Sequence, residues 1–238
     1  MKRHSDGFIS WRIFLISVVV AFACDCTTVE GLSQVEYDPP SGRGPIVILL
    51  SGASGLDMYL SYAAEVAELG YYAVLLYGRD FDPKIVGVSG QGKLRRAIEQ
   101  AQHSPRALPG KVAVIGFSMG GGGALTHATR MPDIVSAVVA YYPMTMHVVD
   151  MRTFVAQFQI PVLVLAGERD RYQNCCLIES MRAMEAAAKG SRAPFELVIY
   201  PNAGHAFTCV NTSAYKPEDS ADAWQRTKKM LSQHQPLH

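Results

Sequence analysis

Val112-Ala113-Val114-Ile115-Gly116-Phe117-Ser118-Met119-Gly120-Gly121-Gly122-Gly123-Ala124 is the stretch whose reading decides the fold. Val112 to Ile115 is a short β-type run. Gly116-Phe117-Ser118-Met119-Gly120 follows, then small residues, and Leu125 to Arg130 reads as a helix. G-x-S-x-G carries little alone; between a strand and a helix it predicts a nucleophile elbow. Such a turn leaves no room for side chains at its flanks, hence the two glycines. Ser118 is expected at the tip, in a strained backbone region, with Oγ pushed out of the sheet. The amides after it lie at a helix N-terminus, where unpaired N–H groups favour developing negative charge.

Two other Gly-rich turns fit poorly. A phosphate-binding P-loop needs Lys and then Ser or Thr after its last glycine, where this chain has Ala124 and Leu125. A dinucleotide-binding turn needs an acidic partner about twenty residues on. Ser136 to Ala140 is apolar or small.

Outward from the elbow, β-type runs alternate with helical patterns. Strands are expected over Pro45–Leu50, Tyr71–Tyr77, Ile134–Tyr141, Ile160–Ala166 and Phe195–Tyr200, with an edge strand at Gln34–Tyr37. Helices are expected from an Asp57 cap to Leu69, over Gln91–Gln102, over Leu177–Lys189, and from Pro217 to about Gln233. Gly78–Gly90 reads as loop and Pro143–Gln159 as irregular or helical, covering the site. The inner strands are apolar without alternation, so both faces are buried. The fold class is α/β, with a mostly parallel central sheet and helices on both faces.

The 238 residues carry a formal net charge of +1 and are 49% hydrophobic. That suits one domain with a sizeable core and gives no reason to expect nucleic acid. Lys2, Arg3 and Arg12 precede an apolar run, Ile13 to Ala23, that ends in Ala21-Phe22-Ala23. This pattern predicts a signal peptide over 1–23 and a secreted or periplasmic protein. The run is too short for a bilayer, which needs about twenty apolar residues. Membrane attachment is expected only if Cys24 is lipidated. Residues 24–44 read as a lead, 45–233 as the folded domain and 234–238 as a tail.

A serine hydroxyl needs a base within hydrogen-bond reach, and the base needs an orienting partner. His205 is the one histidine in a loop after a late strand. Asp170 stands just after another predicted strand, with Glu168 as the alternative acid. In parallel sheets sites form beyond the C-terminal strand ends, so distant residues can meet there. The order Ser, Asp, His is that of the α/β-hydrolases. An oxyanion needs two donors. One is expected from the Met119 amide, the other from Ala53 or Ser54 in the small-residue loop after Leu50.

From Pro45 to about Leu231 the chain resembles the dienelactone hydrolase family of α/β-hydrolases. The matching stretches are P-I-V-I-L-L-S-G-A-S-G, A-V-L-L-Y-G-R-D, I-G-F-S-M-G-G-G, P-V-L-V-L-A-G-E-R-D and Y-P-N-A-G-H-A-F, in family order and spacing. The resemblance implies Ser118 as nucleophile, Asp170 as acid, His205 as base, and the Ala53 and Met119 amides as the oxyanion hole. It also matches Arg79 to one of two arginines that hold a lactone carboxylate. Three departures stand out. The well-known members have a cysteine at Ser118, a glutamate near the thiol at what is Gly52 here, and a second arginine on or near Cys209.

These readings converge on a carboxylic ester or lactone hydrolase that works through an acyl-enzyme and needs no metal or organic cofactor. Other acyl transfer on the same residues (peptidase or acyltransferase work) is the first alternative. A catalytically silent envelope protein binding a ligand is the second. Since Cys175, Cys176 and Cys209 all follow site residues, a disulfide from Cys209 to Cys175 or Cys176 is expected to tie the acid loop to the base loop.

Overall fold

The computed structural model describes residues 32–84 and 88–237. The expected signal segment over 1–23, Cys24 and Cys26 lie outside them. Seven strands form one sheet: β1 (Gln34–Tyr37), β2 (Ile46–Leu50), β3 (Tyr72–Leu76), β4 (Val112–Phe117), β5 (Val135–Tyr141), β6 (Val162–Gly167) and β7 (Phe195–Tyr200). Their order is β1-β3-β2-β4-β5-β6-β7. β1 runs antiparallel to β3; every other pairing is parallel. The helices are α1 (Leu60–Glu68), α2 (Val88–Gln102), α3 (Met119–His127), α4 (Met151–Val155), α5 (Ile178–Ala188) and α6 (Pro217–His234).

The unalternating apolar strands have a direct structural cause. In β2, Ile46, Ile48 and Leu50 face one core with Leu94 and Ile98 of α2, Leu125 of α3 and Met181 of α5. Val47 and Leu49 face the other, with Ala63 and Val66 of α1 and Leu231 of α6. Successive side chains of a strand point to opposite faces. With helices over both faces, every position must be apolar. Burying a Leu or Ile stabilises by about 1.5–3 kcal/mol relative to leaving it exposed. This double core therefore holds the strand ends that carry the site.

Several boundaries depart from expectation. Asp57 is not a side-chain cap; it opens a 3-10 turn, Asp57–Tyr59, that runs into α1. α3 starts at Met119 rather than near Leu125, so the glycines are helical. The stretch after β3 holds a 3-10 turn at Gly78–Phe81, and α2 begins at Val88. Gln235, expected in a free tail, is buried. Its amide donates to the Lys111 carbonyl at 2.6 Å, and its oxygen accepts from Ser136 Oγ at 2.8 Å.

Candidate active site

β4 ends at Phe117 and α3 starts at Met119, so the direction of the chain reverses within one residue. Ser118 has φ 52° and ψ −113°, a region that side-chain-bearing residues rarely occupy. Three backbone hydrogen bonds hold it there. Its N–H donates to Tyr141 O, and its carbonyl accepts from Gly122 and Met144, all at 2.9 Å. The two flanking glycines are required by contact. A Cβ on Gly116 would collide with the Gly120 carbonyl, and one on Gly120 with the carbonyls of Leu50 and Ser51.

The three expected side chains meet. Ser118 Oγ lies 2.9 Å from His205 Nε2, and His205 Nδ1 lies 2.8 Å from Asp170 Oδ2. Asp170 is 1% exposed. Its second oxygen accepts the Tyr172 N–H at 3.0 Å. Both carboxylate oxygens thus have donors, as a buried charge requires. Glu168 is not in this row. Its N–H continues the sheet by donating to Tyr200 O, and its side chain turns outward to Arg182 at 2.7 Å. The arginines beside Asp170 leave its carboxylate alone: Arg169 bonds Asn202 and Arg171 pairs with Glu179.

The loop after β2 borders the elbow. A Cβ built on Gly52 would sit 3.5 Å from Ser118 Cβ and would collide with the Tyr59 hydroxyl. Tyr59 therefore occupies the space beside Gly52 where the resemblance expects a glutamate side chain. Burial pushes its phenol well above the usual range, so it stays neutral. Met119 supplies the first amide of α3, one of the donors a helix cannot pair internally. Arg79 is exposed and donates from Nε to the Ala53 carbonyl at 3.1 Å. Among the described residues it makes no ion pair with Asp80 or Asp82.

The expected cross-loop disulfide is wrong. Cys175 and Cys176 are bonded to each other, and among the described residues Cys209 is a free, buried thiol. The reason is orientation. Cys209 faces the α1/α6 core, 3.6 Å from the Tyr142 hydroxyl, while the cysteine pair packs with Met144 and Met119. Backbone hydrogen bonds join the acid and base loops instead: Glu168 N to Tyr200 O at 3.0 Å and Arg169 N to Ala203 O at 2.9 Å.

Two aromatic contacts escaped the sequence reading. The Tyr172 ring stacks on the His205 imidazole, centroids 4.6 Å apart and planes 7° apart. Tyr142 meets the same imidazole edge-on at 5.0 Å. Tyr172 thus holds both partners, the acid through its amide and the base through its ring. The only signal in the sequence was its place two residues after Asp170.

A doubly covered parallel sheet with a serine elbow, a buried acid and a loop histidine at the C-terminal strand ends defines the α/β-hydrolase class. Residues 32–235 match the model of the dienelactone hydrolase family. The chain belongs to that family. A Salmonella typhimurium protein with the provisional name carboxymethylenebutenolidase is 30% identical, over 81% of this chain and 78% of its own length. A Bradyrhizobium protein with the provisional name 2-oxo-3-(5-oxofuran-2-ylidene)propanoate lactonase is 28% identical, over 82% and 86%. In fold, the chain is similar to a crystal structure from Klebsiella pneumoniae provisionally titled a dienelactone hydrolase. That match has TM-score 0.72 and 23% identity, and covers 85% of this chain and 93% of the other. It is also similar to part of Porphyromonas gingivalis dipeptidyl peptidase 4. Here the TM-score is 0.68 at 16% identity, over 85% of this chain and 33% of that one. The fold therefore serves more than one acyl chemistry and cannot name the substrate.

Proposed function

We propose that this member of the dienelactone hydrolase family is an exported serine hydrolase that opens a carboxylic ester or lactone through an acyl-enzyme. The observation that carries the reading is the unbroken row from Ser118 Oγ through His205 to the buried Asp170 carboxylate. His205 Nε2 takes the hydroxyl proton as Oγ attacks the carbonyl carbon. Asp170 holds Nδ1–H and stabilises the imidazolium that forms. The amides of Met119 and Ala53 receive the negative charge on the carbonyl oxygen. His205 then protonates the leaving alcohol and activates the water that frees the acid. In a lactone the leaving alcohol stays attached to the acyl group, so water opens an intermediate that still carries it.

A lactone is the favoured substrate class because the names of two relatives point to lactones. Arg79 is assigned to holding the Ala53 peptide in place and, through its remaining N–H groups, to a substrate carboxylate.

The test is a fluorophosphonate probe followed by turnover on a panel of esters, lactones and amides. Wild type should label on Ser118 and hydrolyse oxygen esters, and Ser118→Ala should do neither. A folded wild-type chain that resists the probe would end the reading. Export is tested separately, by sequencing the N-terminus of the mature protein; cleavage after Ala23 is expected.

A further inference from the structure

We propose that the reduced protein contains a soft-metal site made by Cys175 Sγ, Cys176 Sγ and a ring nitrogen of His205, and that the Cys175–Cys176 disulfide masks it. The ligand atoms of these three residues lie within 4.8 Å of one another. In a tetrahedral zinc site, Zn–S bonds of about 2.3 Å and Zn–N bonds of about 2.0–2.1 Å put ligand atoms roughly 3.6–3.8 Å apart. The three atoms are thus within about 1 Å of coordinating distance. Two thiolates and an imidazole suit Zn²⁺ and Cd²⁺, and thiolates favour the softer ion.

Backbone hydrogen bonds hold the peptide of Cys175, and so the position of the pair in the chain, independently of the S–S bond. The Cys175 N–H donates to Tyr172 O at 2.9 Å, and the Cys175 carbonyl accepts from Thr145 at 2.8 Å and Met146 at 3.2 Å. The cysteine pair is therefore pinned to the acid loop on one side and to the segment after β5 on the other. Opening the bond frees two thiols on a backbone already anchored beside the imidazole, close enough to turn toward one ion.

The steps balance. A dithiol reductant reduces the disulfide to two thiols and becomes a disulfide itself. A divalent ion then displaces both thiol protons, while neutral imidazole contributes a lone pair. The ion's two positive charges meet two thiolates, so the site stays neutral, as burial at 6% and 2% exposure demands. Both nitrogens of His205 are already engaged, with Ser118 and with Asp170. Coordination through either one breaks the row. Metal capture should therefore silence the enzyme, a consequence that rests on the hydrolase reading; metal binding itself does not.

The experiment titrates Cd²⁺ into the full chain, oxidised and then reduced anaerobically with the reductant removed. The sulfur-to-cadmium ultraviolet band and ester turnover are followed together. Cys175→Ser/Cys176→Ser keeps Cys24, Cys26 and Cys209 and so reports cadmium bound elsewhere. Reduced wild type should bind one more Cd²⁺ than this double variant. Turnover should fall with that occupancy and return with a chelator. Oxidised wild type should match the double variant. His205→Ala, reduced, should bind the extra ion more than about 10-fold more weakly. The proposal fails if reduced wild type and the double variant bind equally, or if His205→Ala binds as tightly as wild type. Should the double variant fail to fold, the oxidised and reduced wild type still decide. If the chain proves not to be a hydrolase, turnover is absent while the band still forms.

Discussion

The two rims of the sheet solve the same geometric problem in different ways. Where strands begin, positive φ falls to Gly42, Gly70, Gly110 and Gly190, just before β2, β3, β4 and β7. A Cβ on Gly42, Gly110 or Gly190 would meet nothing within 4 Å. These glycines serve the backbone angle alone. Where strands end, positive φ falls instead to Ser118, Tyr142, Gln173, Asn174, Ala206 and Asn211, with Gly55 the one glycine among the described residues there. Each such residue costs of order 1–3 kcal/mol and persists only where its surroundings over-determine it. Five of the six belong to or adjoin the segments that carry Ser118, Asp170 and His205. The difference teaches that strain is tolerated where a side chain must be presented, and avoided with glycine where the chain only has to turn.

The hardest blow to the contrast is at the elbow. Ser118→Gly should cut turnover by about 10⁴-fold or more, as loss of a triad nucleophile does. Yet it should be more stable than Ser118→Ala by about 1–2 kcal/mol, because glycine relieves the backbone. Esterase kinetics with parallel denaturant melts check both. Equal stability of the two variants would remove the strain argument at this residue.

Acid sensitivity should arise far from the site. His127 ends α3, is 3% exposed, and is held down to about 4 from 6.5 by burial and then by Arg130 and His147. Between those values the unfolded chain binds a proton that the folded chain refuses. Stability should therefore fall by about 3 kcal/mol as pH drops from 6.5 to 4. Melts across that range, compared with His127→Gln, measure it. An unchanged slope in the variant would move the acid lability elsewhere.

At the non-catalytic rim, Gly190→Ala should cost about 1–2 kcal/mol through its φ of 104°, with kcat/KM unchanged. At the rim where strands end, Gln173→Gly should raise stability by about 0.5–1 kcal/mol and lower kcat through a looser loop around Asp170. Thermal shift and steady-state kinetics on the pair give the two signs. A stabilising Gly190→Ala would contradict the division between rims.

The fold was legible because burial on both faces writes itself into the strands: Val162-Leu163-Val164-Leu165-Ala166-Gly167 has no alternation to misread. The meeting of Ser118, Asp170 and His205 was legible because each follows a strand end. The acid remained open between Glu168 and Asp170. In the structure the sheet bond from Glu168 N to Tyr200 O carries the strand register one residue further, and the glutamate side chain pairs with Arg182 on the outside. α3 was underestimated because glycine has poor helix propensity. Packing overrides it: a Cβ on Gly121, Gly122 or Gly123 would press on Pro143, Met144 or Phe81. The disulfide was misread because sequence distance carries no information about which way a sulfur points. Stacking of Tyr172 has no periodic signature at all.

Gln235 clasps the segment after α6 to Lys111 and Ser136, at the entry to β4 and β5. β4 is the strand that leads into the elbow. A load applied at this glutamine would therefore reach the elbow strand at its root, and Gln235→Ala should loosen the start of β4 while leaving the Ser118 end to its own backbone bonds.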